Sequence, residues 1–311
     1  MGEVMPRVKG HAAKSRNGGD QPPPTPFLFT PYSNFGFVDD GARPLPSAVP
    51  AWLCPAIHLN GAPYTGIPLN LGVPVNMSLV IKNGGALAAL TTARLYYADP
   101  TTTFTATVLA HRMIFQQTLY IGAGAQQETP AAVWTPDNTT PFHVCLLAEV
   151  GSIPLDPSTG TYDAVSDRHY GQQNINVLMV QPGQKKSFSF RVANGGRETE
   201  QFTVLVRSVG EEALHHLEKL YNSEAVSLRP TALSVQVVEP GLRRQSRQEL
   251  KLQLKPGETR LCQLMLDVPR DLNAHQFIAI EVEQLPSILS EQARISTLGI
   301  IAFVSEAESQ I

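Results

Sequence analysis

Charge is the scarcest ingredient of this 311-residue chain. Asp, Glu, Lys and Arg supply 16% of it, against ~25% in ordinary soluble domains. The formal net charge is −3, so nothing draws the chain toward nucleic acid or an anionic membrane surface. A surface rich in Thr, Gln, Ser and Ala is polar but weakly repulsive, and it suits packing against other subunits. Cysteine is almost as rare. Cys54, Cys145 and Cys262 are too few for a disulfide scaffold; a Cys54–Cys145 bridge stays open, with buried thiols the favoured alternative. There is no run of about eighteen apolar residues, which excludes a spanning helix. The opening stretch MGEVMPRVKGHAAKSRNGGDQPPP has no apolar h-region of a secretory signal. The expectation is a cytoplasmic protein, or one exported by another route within an assembly.

Signatures of chemistry are missing too. The sequence holds no Gly-x-Ser-x-Gly elbow and no Gly-rich phosphate loop opening a helix. His215 and His216 are neighbours, about 100° apart on a helix, and cannot share a metal as an i, i+4 pair does. His143 and Cys145 share a strand face, but a mid-strand thiol is not the exposed, activated thiol that nucleophilic catalysis needs. Asp156, Asp163 and Asp167 offer oxygen to calcium without the dense spacing of a calcium loop. Arg243, Arg244 and Arg247 read as a solvated hairpin loop. No catalytic residue, metal ligand or cofactor site is assigned, and the chain is expected not to be an enzyme.

What is present is a repeat. Met77–Tyr97 and Phe188–Ser208 each run an alternating strand into Asn-Gly-Gly, with a second apolar strand after it. Met77, Leu79, Ile81 and Asn83 map onto Phe188, Phe190, Val192 and Asn194 at an offset of 111 residues, as does Gly72 onto Gly183. Period-two alternation puts the apolar members on one sheet face, and Asn-Gly is read as supplying the positive φ of a tight turn. A unit near 110 residues is the size of a β-sandwich. The expected fold is all-β: two tandem immunoglobulin-like sandwiches with separate cores, over residues 50–180 and 181–311. Gly124 and Trp134 match Gly257 and Asp267 at an offset of 133, which places an insertion between them. Within it EEALHHLEKLY has Leu214, Leu217 and Tyr221 at helical spacing, predicting a short helix near 211–222 that caps one end of the second sandwich.

Residues 1–49 read as an extended arm, polar at first, then Pro22-Pro23-Pro24, then Phe27, Phe29, Tyr32, Phe35 and Phe37 within eleven positions. The Pro-rich part is extended. The aromatic part has apolar surface to bury, and those five rings are assigned to docking on a protein partner or a second copy.

The stretches LVIKNGGALAALTTARLYYADP, VWTP, HVCLLAEV and DRHYGQQNINVL resemble the bacterial cell-adhesion-related immunoglobulin-like domain, CARDB. Leu79, Ile81, Asn83, Gly85, Tyr96, Tyr97, Trp134, Pro136, Cys145, Leu147, Ala148, Gln173, Asn174, Ile175 and Val177 follow its pattern, clearest over residues 72–180. The second repeat keeps the Asn-Gly turn and Pro256-Gly257-Glu258 but lacks the Trp and the Cys-Leu-Leu-Ala run. The resemblance implies Trp134, Cys145 and Leu147 in a sandwich core and a non-catalytic spacer, adhesion or assembly role. Two further readings stand beside it: a carbohydrate platform built on Tyr96, Tyr97 or Trp134, and an accessory of a separate enzyme.

Overall fold

The structure, a computed structural model, describes residues 22–33, 37–46, 48–66, 69–110, 112–238, 245–246, 248–286 and 296–304. It is all-β, with two tandem immunoglobulin-like sandwiches. The first comprises β1 (Leu28–Phe29), β2 (Ile57–Leu59), β3 (Ala62–Pro63), β4 (Val75–Asn83), β5 (Ala89–Ala98), β6 (Met113–Ile121), β7 (Gln126–Glu128), β8 (Ala132–Trp134), β9 (Cys145–Gly151) and β10 (Tyr170–Gln173). One sheet runs β1-β4-β2-β3, with β7 and β8 also on β4, and the other runs β10-β9-β5-β6. The short helix α1 (Ala106–Leu109) precedes β6, which starts at Met113.

The second sandwich comprises β11 (Ile175–Val180), β12 (Lys185–Ala193), β13 (Glu200–Ser208), β14 (Glu224–Ala225), β15 (Leu233–Val237), β16 (Gln245–Ser246), β17 (Glu249–Leu254), β18 (Thr259–Asp267), β19 (Gln276–Pro286) and β20 (Ser296–Val304). Helix α2 (Glu211–Tyr221) lies between β13 and β14. Its sheets run β11-β20-β19-β13-β17, with β14 on β19, and β12-β18-β15-β16.

Alternation builds these strands. In β12, Phe188, Phe190 and Val192 are buried while Ser187, Ser189 and Arg191 are exposed; in β4, Met77, Leu79 and Ile81 are buried. The 111-residue offset carries β4 onto β12 and β5 onto β13 within about one residue. Gly72 and Gly183 both have positive φ, +74° and +77°, and Gly124 and Gly257 repeat the match at +67° and +70°. These are backbone conformations that glycine adopts without strain.

The Asn-Gly-Gly turns work differently from the expectation. None of their residues has positive φ. Instead Asn83 and Asn194 are fully buried and staple their loops. Asn83 Nδ2 donates to Leu87 O at 2.8 Å and Ile121 O at 3.4 Å. Asn194 Nδ2 donates to the equivalent Glu198 O and Leu254 O, at 2.8 and 3.0 Å.

Three boundaries move. The described residues among 22–49 are not a separate arm but line the first sandwich. Strand β11 leaves the first sandwich and pairs parallel with β20 from Ile175–Gly299 to Val180–Val304, so the first unit closes at Gln173. The cores are not separate either, because one continuous cluster of buried side chains runs from Phe104 and Val144 to Phe188 and Phe190.

A smaller cluster lies outside the β11-β20-β19-β13-β17 sheet. Trp52, from the first sandwich, is fully buried there with Leu53, Ile175, Phe277, Ala279 and Ile301. A Cβ on Gly299 would stand 2.3 Å from the indole, so only glycine admits this contact. Helix α2 covers the same face with Ala213 and Leu217 buried and Leu214 half-buried, and the Tyr221 hydroxyl donates to Thr65 O at 2.9 Å. It therefore lies across a sheet face, not at the end of the sandwich, because the apolar side of that sheet needs a cover. Trp52→Ala is expected to cost about 3–5 kcal/mol while urea unfolding stays a single transition. Two resolved transitions in the wild type would contradict a shared core.

Candidate functional site

The five arm rings mark the first place to look. Strand β1 pairs antiparallel with β4 at Leu28–Asn83 and Phe29–Lys82. Phe27 N donates to Asn83 Oδ1 at 3.0 Å and Gly84 N to Phe27 O at 2.8 Å. A Cβ on Gly85 would stand 2.0 Å from Thr25 O, so the Gly-Gly pair makes room for the arm. Upstream, Ala86 N donates to Pro23 O at 2.8 Å, which seats the proline run as well. Phe29 and Tyr32 are fully buried, Phe27 is half-buried, and Phe37 packs against the core. The Tyr32 hydroxyl donates to Ala51 O at 2.8 Å and accepts from Gln172 N at 3.0 Å. Phe35 lies outside the described residues. The assignment of this segment to a partner is thus corrected: Leu28, Phe29 and Tyr32 find their pockets on their own chain, where the edge of β4 offers backbone pairing.

Beneath the arm sits a charged cluster. His169, 3% exposed, places Nε2 3.1 Å from Asp156 Oδ1 and Nδ1 2.7 Å from Asp167 Oδ1. Asp156 also takes Arg168 at 2.5 Å and Leu28 N at 2.6 Å, and the Arg168 guanidinium lies 4.1 Å from the Phe27 ring centroid. Burial opposes the charged form of His169, but the two carboxylates outweigh it and hold its pKa above the ordinary value. Burial likewise opposes ionised Asp167, yet bonds from His169 and Thr159 hold it well below the usual carboxylate range. Burial pushes Asp163 up to about 6. Two of the three carboxylates considered for calcium are engaged with His169, Arg168 and backbone. His169 Nδ1 is hydrogen-bonded to Asp167, while Nε2 lies within ion-pair distance of Asp156 without a well-aligned hydrogen bond. The cluster latches the 152–169 loop to the arm.

The residues assigned to the core divide. Cys145 and Leu147 are fully buried, and Cys145 Sγ meets the side chains of Asn174 and Asn176 where the second sandwich begins. Trp134 is half-buried, not a central core residue. It sits on β8 and packs on Tyr97 with ring centroids 5.2 Å apart, and Arg112 lies over the far reach of that pair, 5.7 Å from the Tyr97 centroid. The fully buried tryptophan is Trp52. All three cysteines are free, and burial pushes their thiols up to about 12, so they stay protonated. His143 lies against Phe188, centroids 5.5 Å apart. Among the described residues no three metal-ligating side chains converge. Arg243, Arg244 and Arg247 lie outside the described residues.

One feature of the first sandwich stays open. The β10-β9-β5-β6 sheet ends in β6, and among the described residues no strand pairs with its outer edge. Its sequence, MIFQQTLYI, carries no charge and no proline. On the outer face Leu90 is 64% exposed, its cross-strand partner Tyr120 67%, and Met113 50%. The other half of that face is closed by the arm and the 152–169 loop.

No protein-family model matches the chain, and no curated protein matches it. Solved structures similar to parts of it include a family 123 glycoside hydrolase from Clostridium perfringens, at 8% identity over 43% of this chain and TM-score 0.30. This chain spans 23% of that enzyme. A PapD-like domain of human CEP192 matches at 13% identity over 43% of this chain and 83% of the domain, TM-score 0.24. The CupB6 tip adhesin of Pseudomonas aeruginosa matches at 9% identity over 81% of this chain and 98% of the adhesin, TM-score 0.24.

The latch has a pH signature. His169 has a raised folded pKa, so its stabilisation is complete below the unfolded value of ~6.5 and is lost as pH rises through the higher folded value. Asp167 has a depressed one, so its share is present above ~3.9 and lost on acidification through the lower folded value. The latch is therefore strongest between about pH 4 and pH 6.5. His169→Gln is expected to flatten the alkaline fall of the urea midpoint; an unchanged alkaline slope would remove His169 from this role.

Proposed function

We propose that this chain is a non-catalytic interaction protein, a structural or accessory subunit of a larger multi-protein assembly, and that it docks through the open β5–β6 half of the first sandwich. The observation that carries this reading is the neutral, proline-free edge strand β6 beside exposed Leu90 and Tyr120. A free edge of this length is a template for another chain. Several features of the interior support it. The buried thiols are protonated, and among the described residues the one buried histidine is held between two carboxylates. The resemblance of residues 72–180 to the CARDB domain points the same way. Chemical cross-linking with mass spectrometry on the protein in its producing cell tests the proposal. Cross-links to other chains are expected to gather on the β5–β6 face, and their concentration on the second sandwich instead would overturn it.

A second reading, adhesion through carbohydrate, draws on the half-exposed Trp134 beside Tyr97 and Arg112. Aromatic faces stack on sugars, but here the two rings already lie against each other. Binding on a glycan array that Trp134→Ala abolishes without loss of fold would favour it; an array without signal for the wild type would retire it.

A further inference from the structure

We propose that β6 pairs antiparallel with β6 of a second copy of this chain, joining two β10-β9-β5-β6 sheets into one across a two-fold axis. This rests on the reading of the β5–β6 half as a docking surface and names its occupant.

The first ground is that, among the described residues, the other edges are charged, short or bridged, and β6 is none of these. The uncharged edge β11 donates Val177 N to Gly66 O at 3.3 Å, and β7 and β8 are three residues long. The edge of β12 carries Lys185, Lys186 and Arg191, and Pro100–Thr102 lies along it, with Arg191 N donating to Pro100 O at 2.8 Å and Thr102 N to Arg191 O at 2.9 Å. The edge of β17 carries Glu249 and Lys251. Strand β10 is bridged at Gln173 by Leu53. Strands β1, β3 and β16 are two residues long. Charged side chains and short edges keep sheet edges from pairing. Strand β6 has neither, and its one irregularity, a bulge at Ile114, leaves Phe115–Ile121 in regular register with β5. Its nine residues make no backbone hydrogen bond to another segment along the outer side, among the described residues.

The second ground is self-complementarity. A two-fold interface sets each residue against its mirror position, so a charged strand would oppose like charges. In β6, a pairing centred on Gln117 opposes Gln116 with Thr118 on the outer face. It opposes Phe115 with Leu119 on the face turned to the core. Apolar meets apolar, and polar meets polar. Over the regular span from Phe115 to Leu119 such a pair makes about four to six backbone hydrogen bonds, part of the ~10 of a standard interface. The same axis brings Leu90 and Tyr120 of one copy toward Met113 of the other, covering the three exposed apolar side chains of this face.

The test is light scattering on size-fractionated full-length protein. The wild type is expected at twice the chain mass, and Gln116→Lys with Thr118→Lys is expected to weaken self-association at least ~100-fold. Both positions are on the outer face, and within the chain Gln116→Lys costs only its bond from Arg94 Nε. Circular dichroism should therefore hold and the thermal midpoint should fall by no more than a few degrees, which separates lost pairing from lost fold. Gln117→Cys supplies the register: an intermolecular disulfide should form on mild oxidation, the three native thiols being buried. A wild type that is monomeric throughout, or a dimer that survives the lysine pair, overturns the proposal. A synthetic peptide of residues 113–121 distinguishes the two levels of argument. If the chain is monomeric but binds that peptide in a manner the lysine pair abolishes, the edge is a docking site for another protein. If it neither dimerises nor binds the peptide, the docking surface falls as well.

Discussion

The contact between Trp52 and Gly299 sets the terms for most of this molecule. An indole can lie flat on a sheet only where the strand beneath has no side chain, and Gly299 provides that gap in an otherwise apolar strand. The buried indole N–H then needs an acceptor, and Glu281 supplies it at 3.0 Å. Glu281 is itself a buried carboxylate, 4% exposed, and a buried charge must be paired. Arg207 meets it at 3.3 Å and Glu283 at 2.8 Å. Each group makes the next one necessary. The result joins the N-terminal segment of one sandwich to the central strands of the other, and β11 follows into that sheet. The side chains of Gln172 and Asn174 then close the crossing by donating to Thr297 O at 2.9 and 3.0 Å.

The duplication shows how one device serves two purposes. Asn83 and Asn194 hold equivalent loops by equivalent hydrogen bonds. What comes to rest on each loop differs. In the first sandwich it is the arm, with Thr25 O against Gly85. In the second it is the chain leaving β5, where Gly195 faces the Thr105 methyl and the hydroxyls of Thr102 and Thr103 donate to Gln284 Oε1 at 2.7 and 2.8 Å. Each repeat thus has its first edge closed by a segment from elsewhere in the chain. That arrangement explains why the two hydrophobic interiors merge: the closing segment of the second sandwich belongs to the first.

Local pattern made the sandwich architecture, the repeat offset and helix α2 legible, because alternation and helical spacing are properties of neighbours in sequence. The arm seat was not legible, since it depends on which surface lacks a partner once the strands are paired. A signal was nevertheless present. Gly85 has no positive φ, and glycine without that need marks close approach of another backbone, here Thr25 O. Gly299 inside STLGIIAFV carried the same message. Trp134 misled because a lone tryptophan in a strand was matched to a family position. The strand Ala132–Trp134 is a short one on the flank of β4, and its alternation leaves the ring half outside. Strand β11 was placed in the wrong unit because a strand that ends one repeat and opens the next has the same pattern in either sheet.

The low charge of the chain has a different meaning once its location is known. It does not dilute evenly over the surface. Carboxylates and guanidinium groups are drawn inward at three places: Asp39 with Arg43 under Tyr32, Asp156 and Asp167 with His169 and Arg168 under the arm, and Glu281 and Glu283 with Arg207 beside Trp52. Each site fastens a non-local segment, where a paired charge supplies strong, directional hydrogen bonds that apolar packing cannot. The side chains of β6 itself are neutral, and Arg94 beside it, which donates Nε to Gln116 Oε1 at 2.8 Å, is paired with Glu149 at 3.3 Å. A long neutral edge is a hazard for a protein alone in solution, and it persists here beside edges that are charged, shortened or bridged. The contrast within one molecule, and not the bare exposure of β6, is what gives that edge its meaning as an interface.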